Sequence, residues 1–483
     1  MEEMRSGQGA PAGSALGLGC SIGDLISALG ALTLASETPA LIDELACLED
    51  LKSAIAARQA RVAVAFDLAH RREQALVGVP ASEQGQDVGA QLALARRESP
   101  NRGSWLLGLA KALVSEMPRT MAALEKGLLS EWRATLLVKE TACLSVADRC
   151  AVDEELAPDT GTFDGAGDRA IASAVKAAAY RRDPRSVTQR ASRAAAERRV
   201  TLRPAPDTMT YLTALLPAAQ GVAAYAALTL QANSVRASGP RSEGDAMSQG
   251  QLMADTLVER LTGTPGGISS VEVQLVMTDR ALLRGDSEPA RLAGYGTVPA
   301  KWARVLVGAE GARRKAKRVR RTAEGSACAA PNPERAIAGP EQEGDDPGFA
   351  VYLRRLYTAP STGELVAMDS KARFFPAMLR RFIEARDNTC RTPYCDAPIR
   401  HIDHIFPWHA GGKTTLANGA GLCEACNHTK EGAGWTARPV IPTSSGSIHT
   451  FYVTTPTGHH YRSKAAPLPG HYSQKVPSFT EST

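Results

Sequence analysis

A chain of 483 residues, 43% hydrophobic but only 5% aromatic, has room for two or three soluble, helix-rich domains. It contains no uninterrupted apolar run long enough to span a bilayer, and it opens with acidic and small residues where an export signal would be basic, so the expected address is the cytoplasm. The formal net charge of +5 is unevenly placed: from Gly348 onward fifteen Lys and Arg face nine Asp and Glu, and the run from Arg313 to Arg321 adds seven positive charges, so the surface suited to a polyanion lies in the C-terminal part.

Residues 1–20 are rich in Gly, Ser and Ala and read as a tail. A short helix is expected from Ser21 to Ala35. Thr38-Pro39 then supplies an N-cap followed by proline at the first helical position. Leu41, Leu45, Leu48, Leu51, Ile55, Val62 and Phe66 follow mostly at helical spacing and predict one long amphipathic helix ending near Glu73. Alanine-rich stretches predict further helices at Gly103–Met117, Thr120–Lys139, Val146–Leu156 and Arg169–Ala179. After a basic segment, Val200 to Pro217 reads as strand, turn and strand, followed by a helix from Ala218 to Ser234. Another helix is expected over Gln249–Leu261 and a strand over Val271–Thr278.

From 308 to 347 the composition turns to Arg and Lys and then to Gly, Pro, Glu and Asp, which marks a linker. The basic run inside it reads as a nonspecific DNA anchor or as a solubilising spacer, with the anchor favoured. Beyond it, Val351–Tyr357, the Pro360–Gly363 turn, Glu364–Asp369 and Pro376–Ala385 read as strand, turn, strand and helix. Near the C-terminus, Thr450–Thr454 and His459–Arg462 flank a Pro-Thr-Gly turn as a terminal hairpin within a tail, 441–483.

The chemistry concentrates between Arg386 and Trp435. Cys390-x4-Cys395 and Cys423-x2-Cys426 supply four thiolates at the spacing of a closed tetrahedral zinc site, which would staple the residues between the two pairs. In a reducing compartment this pattern favours a metal over disulfides. Cys20, Cys47, Cys143, Cys150 and Cys328 have no partner spacing and read as incidental. Within the staple lie Asp403-His404-Ile-Phe-Pro407, Gly411-Gly412 and Asn418, and the second cysteine pair continues as Asn427-His428-Thr-Lys430. His401 should face away from His404 by strand alternation, and Trp435 reads as a core residue.

These spaced elements resemble the HNH endonuclease motif, in the subtype that adds a four-cysteine zinc site. The resemblance implies two short antiparallel strands and a helix around one catalytic divalent cation, Mg²⁺ or another. By position, it makes His404 the general base, Asp403 and Asn427 the ligands of that cation, and Asn418 the residue that keeps loop and His in register. The family often carries His at the place of Asn427, and His428, the next residue, is the alternate ligand. Arg386, Arg391, Arg400 and Lys430 are expected to contact phosphates of DNA.

Upstream, Arg203-Pro-Ala-Pro-Asp-Thr-Met209, Ala254 to Thr262, Tyr295-Gly-Thr-Val-Pro299 and Arg355-Leu-Tyr-Thr358 resemble the helical domain of unknown function that precedes HNH modules in high-GC Gram-positive, actinobacterial proteins. The fold class expected is α+β. A mostly α-helical domain over 21–307 with a small β element precedes a zinc-stapled ββα-metal module over 348–440. The expected activity is metal-dependent hydrolysis of DNA phosphodiesters. The rival is a zinc-dependent DNA-binding module without cleavage.

Overall fold

The computed structural model describes residues 21–238, 247–263, 275–292, 294–307, 373–440 and 448–466. The linker, the basic run, the lead-in strands over 351–369 and the Arg355–Thr358 motif lie outside the described residues. Among these, no helix is long and apolar enough to cross a membrane. The fold is the α+β class expected: a helical region followed by a small module of short strands and helices.

The helices run α1 (Ile22–Gly30), α2 (Thr38–Leu76), α3 (Val88–Arg96), α4 (Pro100–Ser115), α5 (Pro118–Glu125), α6 (Glu131–Glu140), α7 (Val146–Leu156), α8 (Asp168–Arg182) and α9 (Pro184–Ala194). A hairpin, β1 (Arg199–Pro204) with β2 (Thr210–Leu215), leads into α10 (Ala218–Ser238) and α11 (Gln249–Thr262). Three short strands, β3 (Leu275–Val276), β4 (Ala290–Leu292) and β5 (Gly296–Val298), form an antiparallel sheet. Next come α12 (Ala377–Asp387), β6 (His401–His404), β7 (Gly419–Leu422) and α13 (Glu424–Lys430). The last strands, β8 (Thr436–Pro439), β9 (Thr450–Thr454) and β10 (His460–Lys464), make a second antiparallel sheet with β9 in the middle.

The chain divides into two compact units. One is Met1–Arg61 with Ala112–Arg182, and the other is Val62–Lys111 with Asp183–Thr483. The first unit is all helical, and Met117, Ala123, Leu129, Leu137, Phe163, Ile171 and Val175 form its core. The single helix expected over Thr120–Lys139 is two helices. Gly127 adopts a left-handed φ of 79° between them, where a Cβ would come within 2.6 Å of the Asp50 side chain, and Ser130 then caps α6 by accepting the Arg133 N–H. A distant carboxylate caps α5 in the same way. Asp153, fully buried, accepts the N–H groups of Arg119 at 2.6 Å and Thr120 at 3.0 Å.

In the second unit, α3 and α9 are helices beyond those expected, although Asp183-Pro184 is a local start signal for α9. Asp183 starts α9 by accepting from Arg185 and Ser186, with Pro184 at the first helical position. The strand expected over Val271–Thr278 appears, among the described residues, as Leu275–Val276.

The C-terminal module lies within this unit. Strands β6 and β7 pair antiparallel with His401 opposite Leu422 and His404 opposite Gly419. One core joins Ile405, Ala420, Trp435, Ala437, Phe451 and Val453, so the terminal hairpin packs into the module. Phe375, Leu379 and Ile383 form a second core that seats α12 under the strands. Burial of such side chains contributes roughly 1.5–3 kcal/mol each.

Candidate functional site

The four cysteines come together. Cys390, Cys395, Cys423 and Cys426 are all buried, their sulfurs lie within 4.8 Å of one another, and Cys395 Sγ is 3.8 Å from Cys423 Sγ. A zinc ion with Zn–S bonds of about 2.3 Å holds tetrahedral sulfurs about 3.8 Å apart, so the cage has the right size. The first knuckle closes because Tyr394 takes a left-handed φ of 64°. In the second, Cys423 begins α13, and its sulfur accepts the Cys426 N–H.

The charge chemistry agrees with the spacing. Hydrogen bonds from Cys395 and Cys426 draw the Cys390 thiol down to about 2. The same contact with Cys390 pushes Cys395 up to about 12 and raises Cys426 as well. Four sulfurs this close cannot all be thiolates unless a cation shares their charge, and that is the donor set a zinc ion takes.

Beside the cage, β6 carries Asp403 and His404. His401 is exposed while His404 is only 5% exposed, as alternation along a strand requires. The His404 backbone N–H donates to Asp403 Oδ1 at 2.8 Å, Nε2 lies 2.9 Å from Thr414 Oγ1, and Nδ1 lies 3.7 Å from Asp403 Oδ1. The Phe375 ring packs on the imidazole with centroids 4.6 Å apart. Burial lowers the His404 pKa below the ordinary histidine value, Asp403 pulls the other way, and Lys430 adds to the lowering. The imidazole is therefore neutral at physiological pH.

Asn418 ties the loop between the strands at both ends. Its Oδ1 accepts the Phe406 N–H at 2.8 Å, and its Nδ2 donates to Phe406 O at 3.0 Å and Lys413 O at 2.9 Å. The turn inside that loop has no room for a side chain, since a Cβ on Gly412 would stand 2.0 Å from Phe406 O. Asn418 thus sets where β6 ends, directly after His404.

Asn427, in α13, presents a buried Oδ1 that has no hydrogen-bond partner among the described residues. An amide oxygen left in that state costs on the order of 1–3 kcal/mol unless something binds it. Asp403 and Asn427 offer a carboxylate and an amide oxygen, the hard ligands that Mg²⁺ takes, so the chemistry of this donor set fits a divalent cation. His428, the alternate, is exposed. Lys430 bridges carboxylates, with its ammonium 3.1 Å from Asp403 Oδ2 and also against Glu431.

The cations expected to face phosphate divide. Arg400 is exposed, whereas Lys430 is mostly covered and committed to Asp403. Arg386 and Arg391 are not surface groups at all, being 6% and 4% exposed. Both converge on Asp387, a residue the sequence did not single out. Arg386 Nε donates to Asp387 Oδ1 at 2.7 Å and Nη2 to Oδ2 at 3.0 Å, while Arg391 Nη1 donates to Oδ1 at 2.7 Å. Arg386 also donates to Leu416 O and Gly419 O, Arg391 to Ser463 Oγ, and Asp387 Oδ2 accepts the Gly421 N–H. The phosphate-binding expectation for these two arginines is corrected accordingly: they knit α12, the first knuckle, β7 and β10 together.

His449 completes that network, with Nδ1 3.1 Å from Arg391 Nη1 and Nε2 3.0 Å from Ala417 O. Burial pushes its pKa down to about 3, and the Arg386 and Arg391 cations add to the lowering. Because the folded value lies below the unfolded value near 6.5, the unfolded chain binds the extra proton between the two. The His449 contribution to stability is therefore constant above pH 6.5 and falls by up to about 1.4 kcal/mol per pH unit as pH drops through the window toward 3. Melting curves from pH 7 to 5 should show that fall, and His449→Gln should make it shallower. Equal slopes in both proteins would refute the assignment.

Comparison with known proteins places these features. The HNH endonuclease family matches residues 390–432, which contain the cysteine cage, both strands and α13. The family described as a domain of unknown function, DUF222, matches residues 45–306, more than half of the chain. No curated protein and no solved structure matches it. The chain belongs to the DUF222 family and carries an HNH endonuclease domain after the DUF222 region.

Proposed function

We propose that this chain is a cytoplasmic, metal-dependent endonuclease that hydrolyses phosphodiester bonds in DNA. His404 is the general base, and Asp403 and Asn427 hold one divalent cation. The observation that carries this reading is a buried, neutral imidazole beside a carboxylate on β6, together with an amide oxygen on α13 that has no partner among the described residues.

Each group has a stated task. A cation bound by Asp403 and Asn427 would neutralise charge on the scissile phosphate. Thr414 occupies Nε2 of His404, which leaves Nδ1 to take the proton from an attacking water, and a neutral imidazole can do so at physiological pH. Phe375 packs against the ring, and Asn418 holds the loop that follows His404. Lys430 balances the Asp403 charge from the α13 side. Arg400, exposed near the first strand, serves as a phosphate contact. The four-cysteine zinc is structural.

The test is cleavage of supercoiled plasmid by the purified chain with Mg²⁺, Mn²⁺ or EDTA, beside His404→Ala at equal zinc content. Metal-dependent nicking that drops by about 10² or more in the variant is expected. If both proteins retard the plasmid and neither cuts it, the chain is a DNA-binding module and the general-base assignment fails.

A further inference from the structure

The DUF222 region touches the nuclease module at two separate places in the second compact unit. The first is α3. Its Leu94 is 3% exposed because it sits in the same apolar core as Ile405, Ala420, Trp435, Phe451 and Val453, with Ala90 packed alongside. Three residues before Leu94, Gln91 Oε1 accepts from Thr457 Oγ1 at 2.8 Å, in the turn between β9 and β10. Gln91 is itself held, since its Nε2 donates to Asp87 Oδ2 at 2.8 Å and that carboxylate pairs with His70 Nε2 at 3.0 Å. Apolar burial and a fixed polar contact thus come from one helix.

The second place is β4. Arg291 is 8% exposed, and its guanidinium donates to Ala385 O in the last turn of α12. The final carbonyls of a helix lack internal donors and carry the negative end of its dipole, so a cation there is favoured. The Asp387 carboxylate attracts the same guanidinium. Arg291 therefore caps the helix on which the module's buried ion network is built.

We infer that the DUF222 region is the cradle of the nuclease module, completing its core through Leu94 and capping α12 through Arg291, so that the module is held in one orientation by a second, non-covalent attachment. An isolated module would expose the apolar groove that Leu94 fills and leave the Thr457 hydroxyl and the end of α12 without these partners. A role for the region of unknown function follows: it fixes where the HNH site points.

The experiment uses the zinc-loaded full chain with a site-specific protease sequence inserted between Ala330 and Pro331. After complete cutting, the two pieces are expected to elute together from gel filtration at micromolar concentration. Pieces of the otherwise unaltered chain that separate would overturn the proposal. Leu94→Asp combined with Arg291→Ala should release the C-terminal piece after cutting, with zinc content and far-UV helicity unchanged before it. Pieces that stay together in this double variant would equally overturn the assignment to these residues. Neither readout depends on cleavage of DNA, so the outcome stands apart from the nuclease reading.

Discussion

The purified chain is expected to carry one zinc ion per molecule, and Cys423→Ser or Cys426→Ser should lose both the ion and the folded C-terminal module. The size of the effect follows from how few packing partners the cage itself has. Cys390, Cys395, Cys423 and Cys426 form a buried cluster in which, apart from Leu422 and the half-buried Ala397, the packing partners are the cysteines themselves. Binding free energy at such a site is folding free energy, on the order of 10 kcal/mol at neutral pH, well above what a small module stores elsewhere. Strong chelation should therefore unfold the module while the helices of the first unit persist, since their core of Met117, Leu137, Ile171 and Val175 is independent of the cage. Metal analysis and circular dichroism before and after chelation check this. Zinc-free protein whose circular dichroism and thermal melt are unchanged would sink it.

How much of this was legible in the sequence depends on how local each cause is. The cysteine spacings and the Asp403-His404 motif are properties of a few neighbouring residues, so the cage and the placement of the HNH domain could be read directly. Helix followed from alanine content and from a proline in the first turn, as at Pro39, although α2 takes in Thr38 itself, the residue expected to cap it. What could not be read was set by residues far apart. Arg386 and Arg391 look like surface cations until Asp387, Gly421 and Ser463 are brought around them. Leu94 looks like one more helix-forming leucine until β8 and β9 supply its neighbours. His449, remote from every motif, acquires its low pKa from burial and then from the Arg386 and Arg391 charges beside it. One local signal was available and missed: an Asp directly after Arg386 and four before Arg391 is a spacing at which a carboxylate can serve two cations on one side of a turn.

Asp387→Ala should be the most damaging substitution outside the zinc cage, lowering the stability of the module by about 3–5 kcal/mol. The Asp387 side chain is fully buried, and it answers two guanidiniums and one backbone N–H. Burial alone would raise its pKa, but the Arg386 and Arg391 charges prevail and hold it below the ordinary carboxylate value. Removing it leaves two cations inside the module with no counter-charge, and that cost, more than the lost hydrogen bonds, dominates. The explanation makes a second demand. If uncompensated charge is the cause, Arg391→Met added to Asp387→Ala should recover part of the loss, although Arg391→Met alone is destabilising. Because the network is enclosed, raising NaCl from 0.15 to 1 M should leave the difference between wild type and Asp387→Ala nearly unchanged, unlike an exposed pair. Urea unfolding of the four proteins measures both effects. Simple additivity of the two substitutions would mean that Asp387 acts through packing, and the module would then tolerate Asp387→Asn far better than this charge balance allows.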